Sequence, residues 1–498
     1  MSSSAPEVSS RKTFPIMSSP PETRAKSSAK SPKKIGSSIS KTRFLTMKFG
    51  TKLKTQSDFT SKLVSLVLPI TFQQFMLALV SASDALMLGK LSQNALSAVA
   101  LASQISFVQS LFLAALTIGL SILLAQYWGK KDTEAVSKIF CYGLKISAIL
   151  SLLFSIVAFI FPAELMQIFT NEKDLIFDGA KYLKVVSFSY FLTGISQIFL
   201  CLFKNCERAF QSSLISSVGV VANIIFNAIF IFGLFSFPAL GIAGAALATV
   251  CAKIIELTWC ILDFKFKSQI NFQIKHLIRN DIIFVRDFWK YTFPVLGNEI
   301  VWGVGFTMYS VIMGHLGSDA VAANSITNIA KNLIACFCIG LGSGGGILVG
   351  IELGKGNLEH AKLCGEKLCH LAIFLGTISG ILFIPLSFLI TSFANLSETA
   401  NEYLKWMLLM CSYYMLGKSI NSTTIAGIFC AGGDSKFGFV CDSITMWCVT
   451  VPLGFFAAFV LKLPVLAVFF IVNLDEIVKL PAVYLHYKKY RWVKNITR

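Results

Sequence analysis

Asp84, Asn223, Asn227 and Thr249 offer one carboxylate, two amides and a hydroxyl, all within long apolar stretches. An intramembrane carboxylate costs about 2.5 to 3.5 kcal/mol on insertion scales, which makes it a functional candidate. Asn223 and Asn227 are four apart and share one helical face. Oxygens of these kinds can coordinate a hard cation, and a desolvated carboxyl can hold a proton. Glu299 is a second carboxylate, near the middle of another apolar run, suited to cation coupling or to attracting a positive molecule. Trp302, Phe306 and Tyr309 follow it and offer ring faces to an organic cation. Structural roles stand beside each of these. Asp84 could reach the interface or cap the next turn, the asparagines could bond neighbouring helices, Lys331 could neutralise Glu299, and the rings could pack in core or lipid. Lys253 and Glu256, one turn apart, read as a local ion pair, and Asp442 as structural.

The elements that position these groups announce themselves by composition. The chain is 55% hydrophobic and 14% charged, with 44 phenylalanines, and its mean hydropathy is +0.69. That is more apolar surface than one soluble core buries. A spanning helix needs roughly 20 apolar residues, and about twelve such runs are present. They fall near 63–88, 95–127, 139–161, 182–203, 214–235, 240–262, 288–313, 322–351, 368–390, 403–425, 437–460 and 465–487. The chain also repeats itself at the offset that takes Pro69 to Pro294. The same shift takes Gly89 to Gly314, Ala95 to Ala320, Gly119 to Gly344, Gly129 to Gly354 and Glu134 to Glu359. Two homologous membrane halves of six spans each are expected, a pattern found in secondary transporters. The shift puts Tyr309 at the place of Asp84, and a near-equal one puts Trp447 near that of Asn223, so the oxygen cluster is not duplicated.

The net charge of +18 follows topology rather than a nucleic-acid surface. Lys130 and Lys131, Lys204 and Arg208, Lys265 to Lys290, and Lys355 to Lys367 fall in alternate connections, whereas Glu164, Glu172, Asp174, Asp178, Glu398 and Glu402 fall in the others. By the positive-inside rule the basic connections and both termini are cytoplasmic in a plasma-membrane protein. An even number of spans per half sets the pseudo-two-fold axis along the membrane normal. The expected organisation is a disordered basic tail over 1–62, lobes over 63–263 and 288–487, a linker over 264–287 and a tail over 488–498. Met47 is an alternative start to Met1. The thirteen cysteines fall mostly within spans and read as free thiols. The five histidines lack metal-ligand spacing, and Gly342 to Gly346 reads as close helix packing rather than a phosphate loop.

Several segments together give the chain a resemblance to the multidrug and toxic compound extrusion (MATE) family over nearly everything after residue 60. They are Pro69 with Asp84 to Gly89, Gly119, Ala125 to Gly129, Pro238 to Thr249, Pro294, Asn298 and Glu299, Trp302, Gly314, Gly317, and Ala322 and Ala323. The resemblance implies an all-α membrane protein of two six-helix lobes. It also implies export of organic, often cationic, compounds in exchange for protons or sodium ions, with Asp84, Asn223, Asn227 and Thr249 at the family's cation site. No cofactor is expected beyond the coupling ion, and the partners are the bilayer and small organic substrates, with the protein a monomer. A lipid-linked oligosaccharide flippase of the same superfamily would line its cavity with several cations, whereas the spans show mainly acids plus Lys331 and Lys418. A membrane enzyme would need clustered His/Asp or a nucleophile with its base, and neither is evident.

Overall fold

The computed structural model describes residues 36–268, 270, 273–278, 281–394 and 396–498, with side chains from Phe59 onward. The chain divides into two compact units, Met1–Ser57 and Asp58–Arg498, and the second holds the lobes. The expected tail lies outside the described residues over 1–35, and the helical backbone begins at Gly36.

The described residues form helices α1 (Gly36–Leu91), α2 (Gln93–Gly129), α3 (Thr133–Ile160), α4 (Lys173–Asn205), α5 (Ala209–Phe232) and α6 (Ile242–Lys267). The second half supplies α7 (Ile282–Gly314), α8 (Ser318–Gly354), α9 (Leu358–Phe393), α10 (Glu398–Asn421) and α11 (Ser435–Val460). Ten of these are long and apolar enough to cross a membrane. The tenth expected span is α10 continued by a π-helical stretch, Ser422–Phe429. The twelfth is broken into α12 (Val465–Val472), α13 (Asp475–Val478) and α14 (Leu480–Tyr487). Pro481 contributes to that break, because it has no amide to donate to the preceding turn. Boundaries follow side-chain chemistry elsewhere: Ser92, Asp132 and Asp281 each accept a first-turn amide, at 3.0, 2.9 and 3.1 Å.

Each lobe has its own core, around Phe140, Phe199 and Phe203 in the first and around Phe383, Leu404 and Met407 in the second. Outward faces stay apolar, as Ile149, Leu152, Leu153 and Ile156 on α3 and Ile373, Phe374, Ile381 and Leu382 on α9 are all exposed. A continuous apolar exterior of this kind suits lipid.

The repeat becomes visible where the lobes touch. A Cβ built on Gly129 would lie 2.1 Å from the Ile351 carbonyl oxygen, and one on Gly354 would lie 1.9 Å from that of Gln126. These two contacts exchange under the repeat, so they are two-fold mates. A Cβ built on Gly350 would lie 2.8 Å from that of Ala125, its own repeat equivalent, which places the pseudo-axis between α2 and α8. The pattern continues along each lobe's first helix: Gly119 on α2 abuts Thr292 on α7, and Gly344 on α8 abuts its counterpart Val67 on α1. Only residues without side chains allow such approach. The expected packing role of Gly342 to Gly346 holds, since a Cβ built on Gly342 would lie 2.6 Å from the Ser422 carbonyl oxygen and one on Gly346 would lie 2.9 Å from the Gly427 Cα.

Residues 491–498 pack beneath this crossing, at the end of the bundle that carries the basic connections. Trp492 is fully buried, and Gln126 donates to Ala431 and Lys494 carbonyls at 2.7 and 3.2 Å while accepting from the Ile496 amide at 2.8 Å. The segment expected as a tail therefore joins α2 to the second lobe. Over-packing a close crossing costs about 1–3 kcal/mol. Gly354→Val should therefore lower the thermal unfolding midpoint in detergent by several degrees. Gly314→Ala, with open space around it, should not lower it.

Candidate functional site

Asp84 sits near the acidic end of α1, Asn223 and Asn227 lie one turn apart on α5, and Thr249 is on α6. The fold brings all four together as one chain of hydrogen bonds. The Asn227 amide donates to Asp84 Oδ1 at 2.6 Å and to Asn223 Oδ1 at 3.0 Å. Asn223 in turn donates to the Thr249 hydroxyl at 3.3 Å, and that hydroxyl donates to the Ala245 carbonyl at 3.1 Å. Asn227 is buried, and its own Oδ1 has no partner. A buried acceptor left bare costs about 1–3 kcal/mol. Leu88, Ile231 and Ala246, within one turn of Asp84, Asn227 and Thr249 on the same helices, belong to one buried apolar cluster. A bare oxygen next to a carboxylate in such surroundings is an arrangement that a hard cation, or a proton shared with Asp84, would complete.

The second lobe changes the chemistry at this place. Tyr309, the repeat equivalent of Asp84, donates its hydroxyl to Thr450 at 3.1 Å. Tyr309 is not among the residues lining the main cavity, so it stands apart from Glu299 and Trp302, with which it was grouped.

That cavity, about 660 Å³, lies between the lobes above the α2–α8 crossing. Repeat equivalents face each other across it: Gln74 matches Glu299, and Thr193 matches Lys418. Trp302 lines it, stacked on Phe306 with centroids 5.7 Å apart and with the Lys418 ammonium 5.6 Å from its ring. The expectation of mainly acidic walls is corrected here. Lys204, Lys418 and Lys479 line the cavity together with Glu299, Asp442 and Glu476, so charge balances.

Most of this charge forms a network that sequence reading missed. Lys479 on the α13–α14 segment pairs with Asp442 at 3.0 Å, Glu476 at 3.3 Å and Asp475 at 3.8 Å. Lys418 pairs with Glu476 at 3.2 Å, and Asn421 donates to the same carboxylate at 2.8 Å. The signal was present as Asp475-Glu476 followed by Lys479, acids and base within one turn. Lys331 does not neutralise Glu299. It donates to Asn473 at 2.8 Å with the Tyr414 ring 4.0 Å away, because its face of α8 turns toward α10 and α12. The Lys253–Glu256 pair is present at 3.0 Å, with Ser196 also donating to Glu256. Removing one partner of a buried ion pair costs about 3–5 kcal/mol. Lys479→Met should therefore sharply reduce folded yield in size-exclusion profiles, and adding Asp442→Asn should restore part of it.

Against known proteins, the MatE family model matches residues 69–229 and 294–456. The two matches begin at Pro69 and Pro294, the offset of the repeat. Among similar proteins, the uncharacterized transporter YisQ of Bacillus subtilis is 23% identical over 446 residues, covering 89% of this chain and 98% of that one. A probable multidrug resistance protein NorM of Thermotoga maritima is 23% identical, covering 80% and 85%. A solved outward-facing multidrug resistance MATE transporter of the MOP superfamily superposes with a TM-score of 0.80 at 15% identity, over 86% of this chain and 95% of that one. With two six-helix lobes about one pseudo-two-fold axis and the family model matched in both, the chain belongs to the MATE family of membrane transporters.

Proposed function

We propose that the protein is a secondary active antiporter that exports organic, often cationic, compounds in exchange for protons or sodium ions. The observation that carries this reading is the Asp84 cluster in the first lobe: a carboxylate hydrogen-bonded to Asn227, whose own oxygen is bare, set apart from the cavity lining as Tyr309 is in the second lobe. Relatives described as multidrug resistance proteins support the substrate class. The basic connections are assigned to the cytoplasm by the positive-inside rule. The crossing at Ala125 and Gly350 then closes the cytoplasmic side, as in an outward-facing state.

In this state a cation or proton reaching Asp84 completes the oxygen set and neutralises the carboxylate. The ion shifts the balance between outward and inward states only by its differential affinity for them. Inward flow of the ion is thereby coupled to outward flow of cargo. The protein acts as a monomer in the plasma membrane, with both termini inside.

Asp84→Asn keeps the shape and most hydrogen bonding but removes the charge. Gradient-driven efflux of a fluorescent organic cation from reconstituted vesicles should fall by about tenfold or more, while Asn227→Ala should lose less. Unchanged transport and ion dependence in Asp84→Asn would move the coupling site to Glu299. Loss of a cell-surface glycan on deletion, with no change in drug accumulation, would favour a flippase.

Orientation has its own test. Asp174 and Lys275 are exposed. A cysteine at Asp174 should react with an impermeant thiol reagent in intact cells, and one at Lys275 should not. The background must lack Cys448, the exposed native thiol.

A further inference from the structure

On the outer surface of the bundle, away from the cavity, Lys145 places a cation inside an apolar stretch. It lies six residues into the run that begins at Ile139 on α3, about 9 Å along the axis at 1.5 Å per residue. Seven residues after Lys138 and four before Ile149, it falls on the outward stripe of α3, where Ile149 is 59% exposed. Lys145 is half-buried and has no hydrogen-bond or ion-pair partner among the described residues. Side chains on a helix lean toward its N-terminus, which for α3 is the basic end of the bundle. The backbone thus directs the ammonium back toward the level of Tyr142, one turn nearer that end.

A second helix completes the surroundings. Trp289 Nε1 of α7 donates to the Tyr142 hydroxyl at 2.8 Å, which sets α3 and α7 side by side, both starting from the basic end. Arg286, Trp289, Lys290 and Phe293 share one face of α7. Arg286 and Lys290 are exposed, and so is Phe293, whose ring centroid lies 4.9 Å from that of Trp289. The acids on these two helix starts are already engaged. Asp287 is buried and bonded to Arg498 at 3.1 Å, Glu134 pairs with Lys138 at 2.9 Å, and Asp281 accepts the Ile283 amide at 3.1 Å. Lys145, Arg286 and Lys290 therefore stand along one seam with no carboxylate partner, and Ile149 and Phe293 continue the surface into the apolar depth. Charge of this sign beside apolar faces complements an anion that carries hydrocarbon chains.

We propose that the α3–α7 seam binds one anionic phospholipid of the leaflet at the basic end, its phosphate held by Lys145 with Arg286 and Lys290 and its chains lying on Ile149 and Phe293. Tyr142 and Trp289 serve as the aromatic groups of the headgroup level. The repeat places His370, Ser61, Val64 and Ser65 where the seam has Lys145, Arg286, Trp289 and Lys290. The cationic set is thus not duplicated, and the chain has one strong site rather than two. A lipid held there braces α3 of the first lobe against α7 of the second.

The test is lipid retention by the full chain in detergent, read by native mass spectrometry, with dioleoyl phosphatidylglycerol and dioleoyl phosphatidylcholine as paired probes. The unaltered protein should hold one phosphatidylglycerol about tenfold more tightly than phosphatidylcholine. Lys145→Gln, and separately Arg286→Gln combined with Lys290→Gln, should erase that preference while leaving phosphatidylcholine retention unchanged, and Lys145→Arg should keep it. Lys488→Gln combined with Lys489→Gln, exposed bases outside the seam, should keep it too. Equal retention of the two lipids by the unaltered protein would overturn the proposal, whether or not the variants fold. So would two equally tight phosphatidylglycerols per chain, or an equal loss in the variant at Lys488 and Lys489. Displacement of the lipid by an equal concentration of soluble glycerophosphoglycerol would also overturn it, since the site would then take a free phosphate ester.

Discussion

Two helix backbones cross where Ala125 of α2 meets Gly350 of α8, and the rest of the molecule is arranged around that contact. The residues are repeat equivalents of each other, so the crossing lies on the pseudo-two-fold axis, with Gly129 against Ile351 and Gly354 against Gln126 as mates on either side. In lipid no hydrophobic drive holds two helices together, and close packing of small residues takes its place. The crossing therefore fixes how near the lobes can come, and hence where the cavity ends. Gln126 adds a polar bolt, since its side chain bonds the Ala431 carbonyl and the 494–496 backbone at once.

A symmetric frame carries asymmetric chemistry. The repeat that matches glycine to glycine at the crossing matches Asp84 to Tyr309, Gln74 to Glu299 and Thr193 to Lys418. The first lobe pairs a carboxylate with an amide, Asp84 with Asn227 at 2.6 Å, and in the second the residue at the place of Asp84 is a phenol, Tyr309, bonded to the Thr450 hydroxyl at 3.1 Å. Charge in the second lobe gathers instead around Lys479. Two halves matched in backbone thus differ in chemistry, with the carboxylate–amide cluster in one half alone. An energetic difference between states that arises at one site needs such an asymmetry, which repetition by itself does not supply.

Much of this was legible in residue identity. The repeat fixed the two halves, and the four-residue spacing of Asn223 and Asn227, with α5 and α6 running in opposite directions, brought Thr249 level with Asp84. Pairings that depend on rotation about a helix axis were not legible. Lys331 was read as a partner for Glu299, yet it faces Asn473, because sequence position does not fix the direction in which a helix face packs. The Asp475-Glu476-Lys479 cluster was hidden by the apolar run Val465–Val472 before it, which reads as one uniform span. The backbone there is broken, and a broken helix lets three charged side chains converge. The folding of 491–498 under the lobes had a faint signal, Trp492 and Ile496 among basic residues, that composition alone reads as tail.

The first helix links the Asp84 cluster to the lobe contact. In the apolar stretch Phe59–Leu91 of α1, Asp84 lies in the second half and Val67 and Thr71 in the first, where they press on Gly344 and Gly340 of α8. Pro69 lies between Val67 and Thr71 and gives no amide hydrogen bond to the preceding turn. The stretch is thus tied in each half to a different partner and lacks a backbone hydrogen bond next to the tie at Val67 and Thr71. Contacts at Gly340 and Gly344 leave no slack, since an added Cβ would already overlap Thr71 at 1.9 Å and Val67 at 2.9 Å. Close-packed contacts of this kind exchange one arrangement for another rather than stretch. A change in charge at Asp84 that alters its bond to Asn227 therefore acts on an element whose other end borders the seal between the lobes.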